Sequence, residues 1–240
     1  MLNKQLSIAA IRQALDRSGR IQVPDFLGSE TARSLLDCLE NEVPWTLAIH
    51  DQSLGKSRTI PIDEYQTMSP KRRQLLVDQA ARESIGRYGF AYESFQMIKA
   101  YKEKICPGLL LHQVTEFLNS EPFLKVARAM TGLDGIQRVS AQATCYRPGH
   151  FLRMHTDEHS SEGRLAAYVI NLTPVWQADC GGLLHFVDGN NQIESVFFPM
   201  FNSLSLFKVP RWHFVSQVTP YASHPRYGIT GWFQTMGDGK

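Results

Sequence analysis

The chain of 240 residues is long enough to bury a proper core as one domain, and its 43% hydrophobic and 20% charged residues are ordinary for a soluble globular protein. A formal net charge of +2 gives no electrostatic case for nucleic acid as an obligate partner. No stretch approaches the length of a membrane span, and the opening MLNKQLSIAAIRQALDRSGR lacks the apolar region and small-residue cleavage site of a secretory signal.

In chain order, residues 3–17 have the pattern of a helix and RIQVPDFL (20–27) that of a short strand. Ser29 reads as the N-cap of a helix over ETARSLLDCLENE, whose apolar residues recur at helical spacing. WTLAIHD (45–51) is a second strand, and the polar stretch 50–68 suits a surface insertion or a mobile loop bordering a peptide groove. Ser69 and Pro70 open a helix with its cap and first-turn proline, ended by Gly86 or Gly89. Its cations, in PKRRQLLVDQAAR, are those of a solvated face. GFAYESFQMIKAY (89–101) alternates as a strand does, and Ser120-Glu121-Pro122 opens a further capped helix that ends near Gly132.

From about residue 136 the character changes. QRVSAQATCY, FLRMHTD, RLAAYVINLT, GGLLHFVD, ESVFF, SLSLF, HFVSQV and RYGITGWFQ follow one another, separated by turn clusters such as RPGH, DCGG and VDGNNQ. Many short strands with turn signals predict a sandwich or jelly roll. The expected class is α+β: one domain over 1–240, with a helix-rich lead-in over 1–135 supporting a β core over 136–240. Cys38, Cys106, Cys145 and Cys180 are far apart with no CxxC pair, so they read as reduced, mostly buried thiols of a cytoplasmic protein.

The segment HTDEH crowds two histidines and two acids into five positions. On a strand FLRMHTD, His155 and Asp157 point to the same face. An imidazole nitrogen beside a carboxylate oxygen supplies two ligands of a metal site. Zinc or copper also takes neutral histidine, but two histidines with one carboxylate suit iron(II). The second histidine must come from a distant strand, and His213 opens HFVSQV. An H-x-D by itself is more often surface loop than metal site. His50, His112, His150, His159, His185 and His224 have no comparable surroundings. His159 and Glu158 lie where SSEG takes the chain into a loop, outside the ligand set. Arg226 and Thr230, four apart in RYGITGWFQ, share a strand face. A guanidinium fork with a nearby hydroxyl would grip a carboxylate, and beside a metal it would anchor a small chelating dicarboxylic acid.

In order, YRPGHFLRMHTD, AYVINLTPVW, GGLLHF, HFVSQV and RYGITGWF resemble the double-stranded β-helix (jelly-roll, cupin-like) core of 2-oxoglutarate and iron(II)-dependent dioxygenases. Within that superfamily they look like the prolyl hydroxylase group, which includes hypoxia-sensing enzymes and hydroxylases of ribosomal protein proline. The resemblance covers about residues 136–234, and VPDFLGSETARSLLDCLENEVPW is similar to the lead-in of bacterial proline hydroxylases. It implies His155, Asp157 and His213 as iron ligands and Arg226 as the partner of the distal carboxylate of 2-oxoglutarate. Tyr146, Thr230 and Trp232 would line the cosubstrate pocket, and Asn171 stands where several relatives have a contacting tyrosine. Gly181 and Gly182 fit a turn that feeds a core strand.

The implied cofactors are Fe(II), 2-oxoglutarate and dioxygen, with ascorbate as a reductant. The implied activity is hydroxylation of an unactivated C–H bond, with release of succinate and carbon dioxide. The implied substrate is a prolyl residue of a protein or peptide, for instance of the translation machinery. The alternatives are a hydroxylase of free proline or another small metabolite, and, from a different class, a catalytically silent β-helix domain that binds a peptide or senses oxygen or iron. An intact ligand set with its arginine argues against silence. A cupin-like hydrolase or isomerase would carry clustered histidines without the late Arg-x-x-x-Thr. Neither membrane nor obligate nucleic acid is implied, and the sequence carries no signal of oligomeric state.

Overall fold

Period-two alternation gives each core strand two different faces, and these faces build two separate interiors. The computed structural model describes residues 1–159 and 161–236. From the first half come β1 (Arg20–Val23), β2 (Thr46–Asp51), β3 (Lys56–Thr59) and β4 (Phe90–Phe95). Then follow β5 (Arg138–Val139), β6 (Gln142–Tyr146), β7 (Phe151–His155) and β8 (Arg164–Asn171). The last strands are β9 (Leu184–Val187), β10 (Ile193–Phe197), β11 (Ser203–Lys208), β12 (His213–Val215) and β13 (Arg226–Gln234). The helices are α1 (Ile8–Ser18), α2 (Ser29–Asn41), α3 (Ile62–Thr67), α4 (Pro70–Glu83), α5 (Met97–Glu103), α6 (Leu110–Leu118) and α7 (Glu121–Thr131).

The strands pair antiparallel in the order β1-β11-β8-β13-β6-β4-β7-β12-β9-β10, with β2 on β4 and β3 on β2. β4 meets both β6, at Glu93–Cys145, and β7, at Ala91–Phe151. Between those two contacts the turn Arg147–His150 carries the chain from one face of the core to the other. The first and last strands then approach each other and are joined by side chains. Arg20 of β1 donates to Ser195 Oγ at 2.6 Å and pairs with Glu194 at 2.9 Å, and Gln22 donates to the Phe198 carbonyl at 2.7 Å. The sheet is nearly closed, as the expected double-stranded β-helix requires.

On β8, Ala166, Tyr168 and Ile170 pack outward among helix residues such as Leu15, Leu39, Leu118 and Met130, while Ala167 faces inward. On β13, Tyr227, Ile229 and Phe233 turn to the helices, whereas Arg226, Thr230 and Trp232 turn to the internal cavity. Each fully buried Leu or Phe contributes about 1.5 to 3 kcal/mol, so the helical layer holds the floor of the cavity rigid without entering it.

Several local elements differ from the sequence reading. GFAYESFQMIKAY divides at Gln96, because Met97 and Ala100 are buried at helical spacing, 1% and 2% exposed, and start α5 instead of extending β4. The first helix starts at Ile8 with Ser7 as its cap, and β1 stops at Val23. Gly28 holds the cap position of α2, and Ser29 is its first residue. Ser69 and Ser120 do cap α4 and α7, and Gly132 ends α7 in the left-handed region. The stretch 50–68 folds into the β2–β3 hairpin and α3. Tyr65 of α3 is buried and donates to Glu93 at 2.9 Å. Gly181 and Gly182 have φ of 67° and 61°, and a Cβ on Gly181 would lie 2.1 Å from the Gln217 carbonyl oxygen. All four cysteines are free, with only Cys106 exposed. Among the described residues no helix is long and apolar enough to cross a membrane.

The bend between β6 and β7 is held by His150, whose Nδ1 accepts the Arg147 backbone N–H at 3.0 Å. Burial pushes its pKa down from 6.5 to about 4. Between these values the unfolded chain binds a proton that the folded chain does not. Stability from this group is therefore complete above about pH 6.5 and is lost as the pH falls towards 4, by up to about 3 kcal/mol. His150→Asn keeps an acceptor near the Nδ1 position and removes the titration. Urea unfolding at pH 7 and pH 4.5 should show a flatter pH dependence in that variant. Equal slopes in the two proteins would exclude His150 as the source.

Candidate metal centre

β7 and β12 pair antiparallel with His155 directly opposite His213. Their ring centroids lie 4.2 Å apart. Asp157 joins them by a route that strand alternation does not describe. β7 ends at His155, and Asp157 adopts φ 63°, a left-handed conformation for which aspartate is among the tolerant residues. Its Oδ1 comes within 3.1 Å of His155 Nε2 and its Oδ2 within 3.4 Å of His213 Nε2. The three donor atoms fall within 4.8 Å of one another, the one such group among the described residues.

The backbone fixes which nitrogen of each ring is free. His155 Nδ1 lies 2.9 Å from the Arg153 carbonyl oxygen, and His213 Nδ1 lies 2.8 Å from that of Arg211. A carbonyl only accepts, so both Nδ1 atoms carry the proton and both Nε2 lone pairs face the carboxylate. Burial, reinforced by the neighbouring His155, holds His213 at about pKa 4 against the pull of Asp157. It is neutral at pH 7. Burial opposes the Asp157 carboxylate, yet the His155 and His213 rings, which attract it once protonated, and the Trp232 indole N–H hold its pKa at about 2, so it is ionised. Two nitrogen lone pairs and an anion converging on one buried point call for a cation there. Two imidazoles and one carboxylate fit iron(II).

The triad borders a cavity of about 200 Å³ that Arg226 also lines. Arg226 is 6% exposed, makes no ion pair among the described residues, and leaves its Nε without a hydrogen-bond partner. Its guanidinium carbon sits 5.0 Å from the Tyr146 ring centroid, and Tyr146 stacks on Tyr92 at 5.0 Å. Burial lowers its pKa, but a guanidinium retains its proton in proteins. A buried cation without a partner costs several kcal/mol, so the cavity is complementary to an anion.

Residues 141–234 match the family model of the 2OG-Fe(II) oxygenase superfamily. That match spans most of the β core and takes in the triad and Arg226. Prolyl 3-hydroxylase OGFOD1 of Mus musculus is 31% identical over 120 residues, which covers 47% of this chain and 22% of the relative. The chain thus matches less than a quarter of the curated relative's length. A prolyl-4-hydroxylase from Pseudomonas putida superposes with a TM-score of 0.60 at 17% identity, over 100% of this chain and 97% of that one. A prolyl hydroxylase from Trichoplax adhaerens, solved with a hypoxia inducible factor peptide fragment, gives 0.60 at 18% identity over 95% and 88%. At such identities the structural likeness speaks for the fold.

Within this β core, Tyr146, Thr230 and Trp232 line the cavity. The Thr230 hydroxyl donates to the Tyr168 carbonyl at 2.9 Å, so it offers the cavity lone pairs instead of a proton. The Trp232 indole N–H is buried, makes no well-formed hydrogen bond and faces the Asp157 carboxylate, which it helps to keep ionised. Asn171 is not part of the cavity wall. Its amide donates to Ser203 Oγ and Ser205 Oγ, each at 3.1 Å, and ties β8 to β11. His159 lies outside the triad, 3.7 Å from Glu162, and Glu158 is not among the converging donors.

Sequence reasoning missed Arg164 of β8. Its Nη1 donates to the Asp157 backbone carbonyl at 3.2 Å and lies 3.8 Å from Oδ1, and Glu162 holds the same guanidinium at 2.9 Å. The group lies over the Trp232 ring at 3.7 Å. It braces the left-handed turn that aims Asp157. Tyr88, Phe90 and Tyr92 were missed as well. Their alternation in the segment YGFAYESF was visible, but nothing local says which face looks inward.

Proposed function

We propose that the chain is a 2-oxoglutarate- and Fe(II)-dependent dioxygenase that hydroxylates a prolyl residue of a protein or peptide. The observation that carries this reading is the pairing of a cation-seeking donor set with a buried, unpaired guanidinium in one cavity. The charges also balance: a divalent ion, the Asp157 carboxylate and Arg226 sum to +2, which the dianion of 2-oxoglutarate neutralises.

His155, Asp157 and His213 would hold the iron, and their carbonyl-anchored rings keep the tautomer that leaves Nε2 free. Arg226 would grip the far carboxylate of the cosubstrate, over the aromatic wall of Tyr146 and Tyr92. The apolar residues Leu184, Phe207 and Val215 line the cavity and exclude water from the reacting atoms. Iron(II), when bound, supplies activation of dioxygen: one oxygen atom goes to succinate as carbon dioxide leaves the cosubstrate, and the other goes to the C–H bond. Similarity to prolyl hydroxylases, one of them solved with a peptide, supports proline in a peptide as the target.

The test is mass spectrometry of a cell lysate incubated with the purified protein, iron(II), ascorbate and 2-oxoglutarate. A gain of one oxygen atom on proline in specific peptides is expected, including those of the translation machinery. Succinate release stimulated by free proline alone would replace the peptide reading with a small-molecule one.

A further inference from the structure

Six residues, Ser57, Phe90, Tyr92, Gln142, Thr230 and Trp232, wall both the metal cavity and a second, open hollow of about 1000 Å³. The cavity itself, about 200 Å³, is smaller than ordinary ligand pockets, and the hollow is at their upper limit. A cosubstrate-sized molecule therefore fills the first, and the second has room for several residues of a chain. The groove runs from Trp232 and Tyr92 past Ala141 to α5 and α6, where Ile98 and Tyr101 add apolar surface.

Polar side chains extend along the same path. Gln96 Nε2 donates to Gln142 Oε1 at 2.8 Å, and Gln142 Nε2 donates to the Tyr92 hydroxyl at 3.4 Å. Each amide keeps a second N–H and the Tyr92 hydroxyl keeps its proton. Those groups suit the repeating donors and acceptors of an extended backbone.

The charges along the groove are unequal. Glu162 pairs with Arg164 at 2.9 Å, whereas Glu116 accepts the Tyr101 hydroxyl at 2.9 Å and keeps its charge, one anion against the two cations that follow. Lys102 on α5 and Arg138 on β5 make no ion pair among the described residues, and Arg138 donates only to the Glu162 carbonyl, at 3.3 Å. Two exposed cations thus flank an apolar, amide-lined trough that opens onto the cavity.

We propose that this groove seats an extended peptide whose target residue enters the metal cavity and whose flanking acidic side chains are received by Lys102 and Arg138. The inference rests on the oxygenase reading for the identity of the cavity. The groove's preference for acidic peptides can be measured without it.

The experiment uses the full chain and two fluorescein-labelled peptides, identical except for glutamates or lysines on both sides of a central proline. Fluorescence anisotropy at low salt should give at least tenfold tighter binding of the acidic peptide, with the difference shrinking as salt is added. A Lys102→Glu/Arg138→Glu double variant with an unchanged melting temperature should reverse the order. Equal binding of the two peptides, binding of neither, or an unreversed order in the variant overturns the proposal. Displacement of the acidic peptide by a single-stranded oligonucleotide at lower concentration than by unlabelled peptide also overturns it, in favour of a nucleic acid. Succinate release is followed in parallel. Acidic-peptide binding without turnover retains the groove and removes the oxygenase reading, whereas turnover stimulated equally by both peptides does the opposite.

Discussion

Replacing Asp157 with alanine should abolish succinate formation and, with it, the response of the protein to metal. Asp157 supplies the only anionic donor among the three that converge within 4.8 Å. Loss of a hydrogen-bonding partner behind a metal ligand already costs about 10- to 100-fold in affinity or activity, so loss of the charged ligand should cost more than ~100-fold. The variant has a second, independent signature. In the wild type, added iron(II) or manganese(II) should raise the melting temperature in proportion to occupancy. In Asp157→Ala that rise should vanish. A variant that keeps full turnover, or still gains stability from metal, would remove Asp157 from the ligand set.

Arg226→Met should move stability and cosubstrate affinity in opposite directions. Methionine roughly fills the space of the side-chain stem and removes a buried charge that no acid in the described chain compensates. The metal-free, cosubstrate-free protein should therefore be at least as stable as the wild type to urea. Binding of 2-oxoglutarate should weaken by about 2 to 5 kcal/mol, the usual cost of removing one side of a buried charge-assisted pair, or at least ~30-fold in Kd. Arg226→Lys should fall between, since it keeps the charge and loses the planar fork. Calorimetric titration with 2-oxoglutarate separates the cases. Unchanged affinity in the methionine variant would show that the distal carboxylate is held elsewhere.

The amount of this site that was legible in sequence depended on whether a residue's position follows from strand alternation. Arg226, Thr230 and Trp232 are two or four apart on β13, and alternation alone turns them to one face, as it does. His213 and His155 were brought together by the ordered motifs of the resemblance, and their cross-strand pairing shows why those motifs travel together. Asp157 was expected at the right place for an incomplete reason. Period two would have sufficed on an unbroken strand, but the strand stops and a left-handed residue completes the approach. Arg164 and Asn171 mark the limit. The bracing contact of Arg164 crosses a loop, and Asn171 answers to two serines some thirty positions away on β11. Neither relation leaves a local pattern. The same holds for β4, whose three partner strands no window of sequence contains, and for α5, where a short apolar run fits both periods until packing decides.

The side-chain clasp between β1 and β10 makes the amino-terminal segment a structural lock for a donor cluster far along the chain. Arg20 touches both Ser195 and Glu194, and Gln22 reaches the Phe198 carbonyl, so a proteolytic nick that frees β1 would unzip the shell at its seam and leave two raw strand borders, those of β10 and β11, facing outward. Such borders recruit neighbouring chains. Damage at the start of this protein should therefore be seen first as self-association, before the chemistry at the centre fails.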